Sequence, residues 1–188
     1  MISEKRVINW YGFSAGILTI IVLVTSLFVP WWQLTVGDNL VKVNASPVNT
    51  NFGLFGTNFG LPLLYALNAV SVLTFSISGL IMLFYSINPT KPYAAQLLGF
   101  SYKKPLFTLL TFFSSLLIIT SITSIVGINV PIIGQTIMTL PASLAMGANI
   151  KASVTGSFQL PFWLAITTVI LCILARLQHS HVTKKVTQ

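Results

Sequence analysis

Acidic side chains are almost absent from this chain: Glu4 and Asp38 are the only two in 188 residues. Neither falls in an apolar run, so the intramembrane carboxylates on which proton-coupled pumps and carriers ordinarily rely are missing. Charge of either sign is scarce. Lys, Arg, Asp and Glu together make 6% of the chain against 54% hydrophobic residues, where a soluble domain carries roughly 25% charged residues. That balance excludes a soluble globular domain and leaves an integral membrane protein. Cysteine occurs once, as Cys172 inside an apolar run; a lone thiol makes no intrachain disulfide and suits a small buried hydrophobe. The two histidines, His179 and His181, have no Cys, Asp or Glu nearby, so they read as a solvated tail rather than a metal site. No apolar run holds a histidine for haem. No glycine-rich phosphate loop follows a strand pattern, and no nucleophile stands near a candidate base. The expectation is a non-enzyme with no catalytic, cofactor or metal residues.

What the chain has is long apolar runs. Four reach the roughly 20 helical residues that cross about 30 Å of hydrocarbon. They are spans 7–29, 62–87, 106–127 and 158–177 of one membrane domain covering 1–188. The first follows a basic start, but its apolar part exceeds the roughly 7–15 residues of a signal peptide core, so it reads as a retained span. Pro62 and Pro105 suit first helical turns, and Asn88-Pro89 stops the second helix. Each span must be helical, because an open strand would leave backbone groups unpaired in lipid.

The basic residues set the orientation. Lys5, Arg6, Lys91, Lys103, Lys104, Arg176, Lys184 and Lys185 fall on one side of the four spans, and only Lys42 and Lys151 on the other. By the positive-inside rule both termini and the loop 88–105 are cytoplasmic, with the tail 178–188, in the plasma membrane. The loops 30–61 and 128–157 then face out. Scattered at span ends, this charge serves topology and lipid contact, not nucleic acid. Trp10, Tyr11 and Tyr85 are expected as inner interface anchors, and Trp31, Trp32, Phe59, Phe158 and Trp163 as outer ones.

The outer loops carry strand patterns. Gln33–Val36 and Leu40–Val43 flank the turn Gly37-Asp38-Asn39, a hairpin with a glycine-containing connection. Gln135–Leu140 and Asn149–Thr155 repeat the theme, broken by Pro141 and Met146-Gly147-Ala148. An isolated hairpin is marginal in water, so both loops are expected to join in one small extracellular antiparallel sheet. Asn44-Ala45-Ser46 fits the N-glycosylation pattern on that face, although Pro47 disfavours its use.

Lipid gives helices no hydrophobic reason to associate, so small residues and interhelical hydrogen bonds must hold the bundle. Gly12 and Gly16 form a GxxxG pattern. Asn68, Ser71 and Ser78 share one face of the second span; Thr111, Ser114, Ser121 and Ser124 line the third. Both stripes are expected to point into the bundle.

Four spans with both ends inside, a long first outer loop bearing Trp31-Trp32 and then Gly53-Leu54-Phe55, and a shorter second loop resemble the claudin and peripheral-myelin-protein group. That family carries Trp followed about twenty residues later by Gly-Leu-Trp; here phenylalanine takes the last place, and the paired loop cysteines are absent. The resemblance implies a mainly α, claudin-like four-helix bundle with an extracellular sheet. It also implies that Trp32, Gly53, Leu54 and Phe55 pack where sheet meets bundle. The function expected from these features is adhesion, envelope contact or lateral assembly through the outer β-loops, with a protein partner or a second copy engaged there or at helix faces. The alternatives are an accessory subunit of a larger respiratory or secretion complex, and a channel or carrier for a neutral or lipidic solute.

Overall fold

Asn9 starts the first helix: its side-chain oxygen accepts the Gly12 amide at 3.0 Å, satisfying one donor that a helix N-terminus leaves unpaired. In the computed structural model, which describes residues 7–37, 40–125, 128–139 and 151–184, this helix α1 runs Trp10–Phe28. Helix α2 runs Pro62–Ile87, with proline at its first position and Asn88-Pro89 just past its end. Helix α4 runs Leu160–Lys184 with Pro161 in its first turn. Glu4, Lys5, Arg6, Asp38, Asn39, Leu140, the breaks at Pro141 and Met146-Gly147-Ala148, Asn149, Ile150 and Lys185 lie outside the described residues.

The third helix departs from the span 106–127 expected to open at Pro105. Helix α3 runs Ala94–Ile125 with Pro105 inside it, so the connection after α2 is much shorter than 88–105. Two local features explain this. Ala94, Leu98 and Ser101 recur at helical spacing and are all buried, which gives the early turns a core to hold them. Proline at 105 has no N–H, so the Ser101 carbonyl, four residues back, loses its helical donor. The Ser78 hydroxyl of α2 supplies a replacement, donating to Ser101 O at 2.8 Å.

All four helices are long and apolar enough to cross a membrane, with mean hydropathy of 2.0 to 2.1 over their most apolar windows. With a six-stranded antiparallel sheet they make a mainly α, four-helix fold. The chain forms two compact units, Met1–Thr25 with Ala69–Leu110 and Trp163–Gln188, and Ser26–Asn68 with Thr111–Phe162.

In the first unit every helix contributes to one core: Ala15 of α1, Met82 and Tyr85 of α2, Ala94 and Leu98 of α3, Cys172 and Ala175 of α4. Gly12 and Gly16 lie against α2. A β-carbon on Gly16 would stand 2.7 Å from Leu83 Cγ and 3.0 Å from the Leu83 amide nitrogen, and one on Gly12 would stand 2.5 Å from Ser86 Oγ. Gly79 of α2 returns the favour, its own missing side chain facing Ile20, Thr19 and the Gly16 carbonyl. This is close backbone approach at small residues, the means of helix association that survives without water.

One buried polar network ties α1, α2 and α4. Asn9, fully buried, donates from its side-chain amide to Tyr85 Oη at 2.8 Å and to the Ala175 carbonyl at 3.1 Å. The Tyr85 oxygen accepts from Asn9 and also stands within hydrogen-bonding distance of His179 Nδ1, 3.1 Å away. The Asn9 backbone amide donates to Ser86 O at 3.0 Å. Tyr85 is fully buried and serves this network instead of the interface role expected of it.

Candidate functional site

The second unit is built around the sheet. Its strands are β1 Trp32–Val36, β2 Val41–Ala45, β3 Asn51–Leu54, β4 Thr57–Phe59, β5 Gly134–Thr139 and β6 Lys151–Phe158. Their order is β4-β3-β2-β1-β6-β5, and β1 pairs antiparallel with β6. The two interhelical segments thus form one sheet, because neither hairpin alone offers enough buried face. Strands β3 and β4 go beyond the four expected. Their two-residue turn, Phe55-Gly56, has φ of 50° and 81°, the double positive φ of a tight hairpin turn. Phenylalanine is a poor turn residue, which hid the hairpin from sequence reasoning.

Alternation separates two faces. One carries Trp32, Leu34, Val36, Ala152 and Val154, which form one buried cluster with Leu116 of α3, Phe112 packing against it. The Trp32 indole N–H donates to Ile132 O at 2.7 Å, drawing the segment before β5 across this face. Gly156 admits that segment, since a β-carbon there would collide with the Pro131 carbonyl. Trp31, with no exposed surface, donates from Nε1 to Ser26 Oγ at 2.7 Å and meets Phe112 edge-on with ring centroids 5.1 Å apart. Trp31 and Trp32 are therefore core residues of this unit, not the interface anchors expected. Trp163, 53% exposed, and Phe59, 54% exposed, keep surfaces that fit that role.

The opposite face is polar. Gln33 stands opposite both Asn44 and Ser157, and Asn44 opposite Asn51. Gln33 Nε2 donates to Asn44 Oδ1 at 3.1 Å, Asn44 Nδ2 to Asn51 Oδ1 at 2.9 Å, and Asn51 Nδ2 to Asn49 Oδ1 at 3.1 Å. This ladder of side-chain amides crosses three strands and gives Asn44, Asn49 and Asn51 their partners. The glycosylation candidate Asn44 is its middle rung, with Ser46 of the same tripeptide buried. Lys42 and Lys151 also project from this face, by the same alternation.

The residues carried by the family resemblance separate. Gly53 is buried between Lys42 and Asn58, where a β-carbon would stand 3.3 Å from Asn58 Oδ1. Leu54 is half-buried. Phe55, expected to pack where sheet meets bundle, is instead 66% exposed at the hairpin tip. Its positive φ sets it at the first central position of the turn, which aims the ring outward. The anchoring role belongs to Trp31.

The polar stripes of the spans also divide. Ser78 is buried and donates to Ser101 O, Ser71 and Asn68 are half-buried, and Thr111, Ser114, Ser121 and Ser124 are exposed. Helix α3 turns its bulky Phe112 and Leu116 to the sheet, which leaves the serines on another face. Dispersion favours the larger side chains where space must be filled. Ser121 and Ser124 line an open cleft of about 900 Å³ with Leu117, Thr120, Val130 and Ile132.

No three His, Cys, Asp or Glu side chains gather among the described residues. A scan against protein-family models and a search of curated proteins both find no significant match to this chain.

Proposed function

We propose that this is a non-enzymatic integral membrane protein of the plasma membrane, with both termini cytoplasmic, that assembles laterally through its extracellular sheet. The observation that carries the reading is the state of β5. Among the described residues it pairs only with β6, it bears no charge, and its Ile137 is 71% exposed. Soluble proteins guard such an edge with lysine, proline or a bulge; an edge without these is a template for another strand. The topology follows from the basic residues: Lys91, Lys103, Lys104 and Arg176 belong to the first unit, whereas the sheet holds only Lys42 and Lys151.

A second copy pairing along β5 is the partner that needs no other sequence. The test is Ile137→Lys with Thr139→Lys, both at exposed edge positions, followed by subunit counting at fixed protein-to-lipid ratio. The double variant is expected to fall to monomer while inserting normally. An unchanged oligomer distribution would remove edge pairing from consideration.

One observation favours the accessory-subunit alternative. Only 6% of the apolar window of α3 is buried, against 33–39% for the other three helices. A foreign helix seated on α3 would give a fixed stoichiometric partner in mild detergent, which distinguishes this reading from self-assembly.

A further inference from the structure

We infer that the β3–β4 hairpin is a membrane-surface anchor, its aromatic side chains resting in the interfacial layer of the outer leaflet. The register supplies the first argument. Leu34 pairs with Val43, Val43 with Phe52, and Phe52 with Phe59, so these four form one cross-strand row on one face of the sheet. Leu34 is buried against α3, but the row runs beyond that support. Phe52 is 38% and Phe59 54% exposed. The face that meets Phe112 and Leu116 of α3 is therefore the face on which Phe52 and Phe59 lie open. That face is the one that packs on a helix long and apolar enough to cross the bilayer, so this inference rests on the spanning topology proposed above.

Continuity is the second argument. The open aromatic row leads through Gly60 into the first turns of α2, where Leu61, Leu63, Tyr65 and Leu67 are all exposed. Tyr65 folds back over Gly60, where any β-carbon would collide with its hydroxyl. Hairpin and helix start thus expose large apolar side chains on consecutive stretches of chain, and those on α2 lie in a helix apolar enough to be solvated by lipid.

Charge is the third. From Val43 to Thr90 the sequence holds no Lys, Arg, Asp, Glu or His, so nothing on the hairpin resists the headgroup region. Lys42 projects from the other face of the sheet, on the row with Thr35, Gly53 and Asn58. Aromatic side chains favour this boundary layer of a bilayer.

The tip adds a fourth. Phe55 holds a φ of 50°, a region where bulky side chains are outliers, with its amide donating to Leu40 O at 2.8 Å. The turn thereby presents a large ring outward, 66% exposed, where asparagine or glycine would relieve the strain. A lipid surface takes such a ring without requiring a shaped pocket.

Nitroxide accessibility on the full chain decides the matter. In a Cys172→Ser background, single cysteines replace Phe55, Phe59, Asn58 and Leu63, and the labelled protein is placed one copy per disc in phosphatidylcholine nanodiscs. The expected result is an oxygen-over-nickel collision preference at Phe55 and Phe59 that matches Leu63 and exceeds Asn58 several-fold. Adjacent positions 58 and 59 must differ, because alternation puts them on opposite faces. The preference is expected to be unchanged by salt or by added anionic lipid. Equal aqueous exposure at 58 and 59, with Leu63 still in lipid, would overturn the anchor. Protection at Phe59 that arises only with several copies per disc would overturn it in favour of a protein contact. An aqueous Leu63 would instead bring down the spanning topology itself.

Discussion

Replacing Ser78 with alanine tests whether the long third helix depends on a borrowed hydrogen bond. Pro105 lies inside α3 and cannot donate to Ser101 O, and Ser78 Oγ donates there at 2.8 Å from α2. Ser78 is 1% and Ser101 0% exposed, so water cannot take over when the hydroxyl is removed. An orphaned buried carbonyl costs about 1–3 kcal/mol. Interhelical hydrogen bonds in membrane proteins average nearer 0.6 kcal/mol and reach about 1.7 kcal/mol, so a loss of about 1–2 kcal/mol is expected, measured by reversible unfolding in mixed detergent micelles. The sharper statement is a coupling. Pro105→Ala restores an N–H able to bond Ser101 O, so Ser78→Ala should cost less than about 0.5 kcal/mol in that background, the scatter within which independent changes add. If Ser78→Ala costs the same with alanine at 105 as with proline, the hydroxyl is not replacing the missing donor and the account of α3 is wrong.

Two further outcomes concern packing. Trp31→Ala should destabilise by about 3–5 kcal/mol, the usual range for a buried tryptophan, because Trp31 is fully buried against Phe112 and bonded to Ser26. Trp163→Ala, at a 53% exposed position, should cost clearly less in the same unfolding assay, since less of the side chain is buried; equal losses would deny Trp31 its special place. Gly16→Ala and Gly99→Ala should move stability in opposite directions. A β-carbon at 16 meets Leu83 at 2.7 Å and one at 99 meets nothing within 4 Å, so the first should lose about 1–3 kcal/mol by overpacking. The second should gain about 0.5–1 kcal/mol from helix propensity. A destabilised Gly99→Ala variant would show that α3 has a neighbour at that position.

Composition alone determined that four helices dominate, because runs such as 62–87 hold almost nothing that water would reward, and only a helix satisfies its backbone within itself. Period-two alternation in Gln33–Val36 and Ala152–Thr155 determined that strands lie between the helices, for strands expose opposite faces in turn. What only the tertiary structure decided was the choice among neighbours of equal appearance. Trp31 and Trp32 read alike as interface aromatics, yet both are core, because Phe112 and the Ile132 carbonyl come to them from distant parts of the chain. Ser78 and Ser114 read alike as hydroxyls on apolar helices; one mends the break that Pro105 makes and the other is exposed. Gly12 and Gly16 carried their meaning in the sequence as places where backbones approach, but α2 as the partner did not. Local pattern reports what a residue can do, since propensity and burial preference are properties of the residue itself. Which partner it meets depends on contacts closed across many residues, and those exist only once the helices and the sheet have packed.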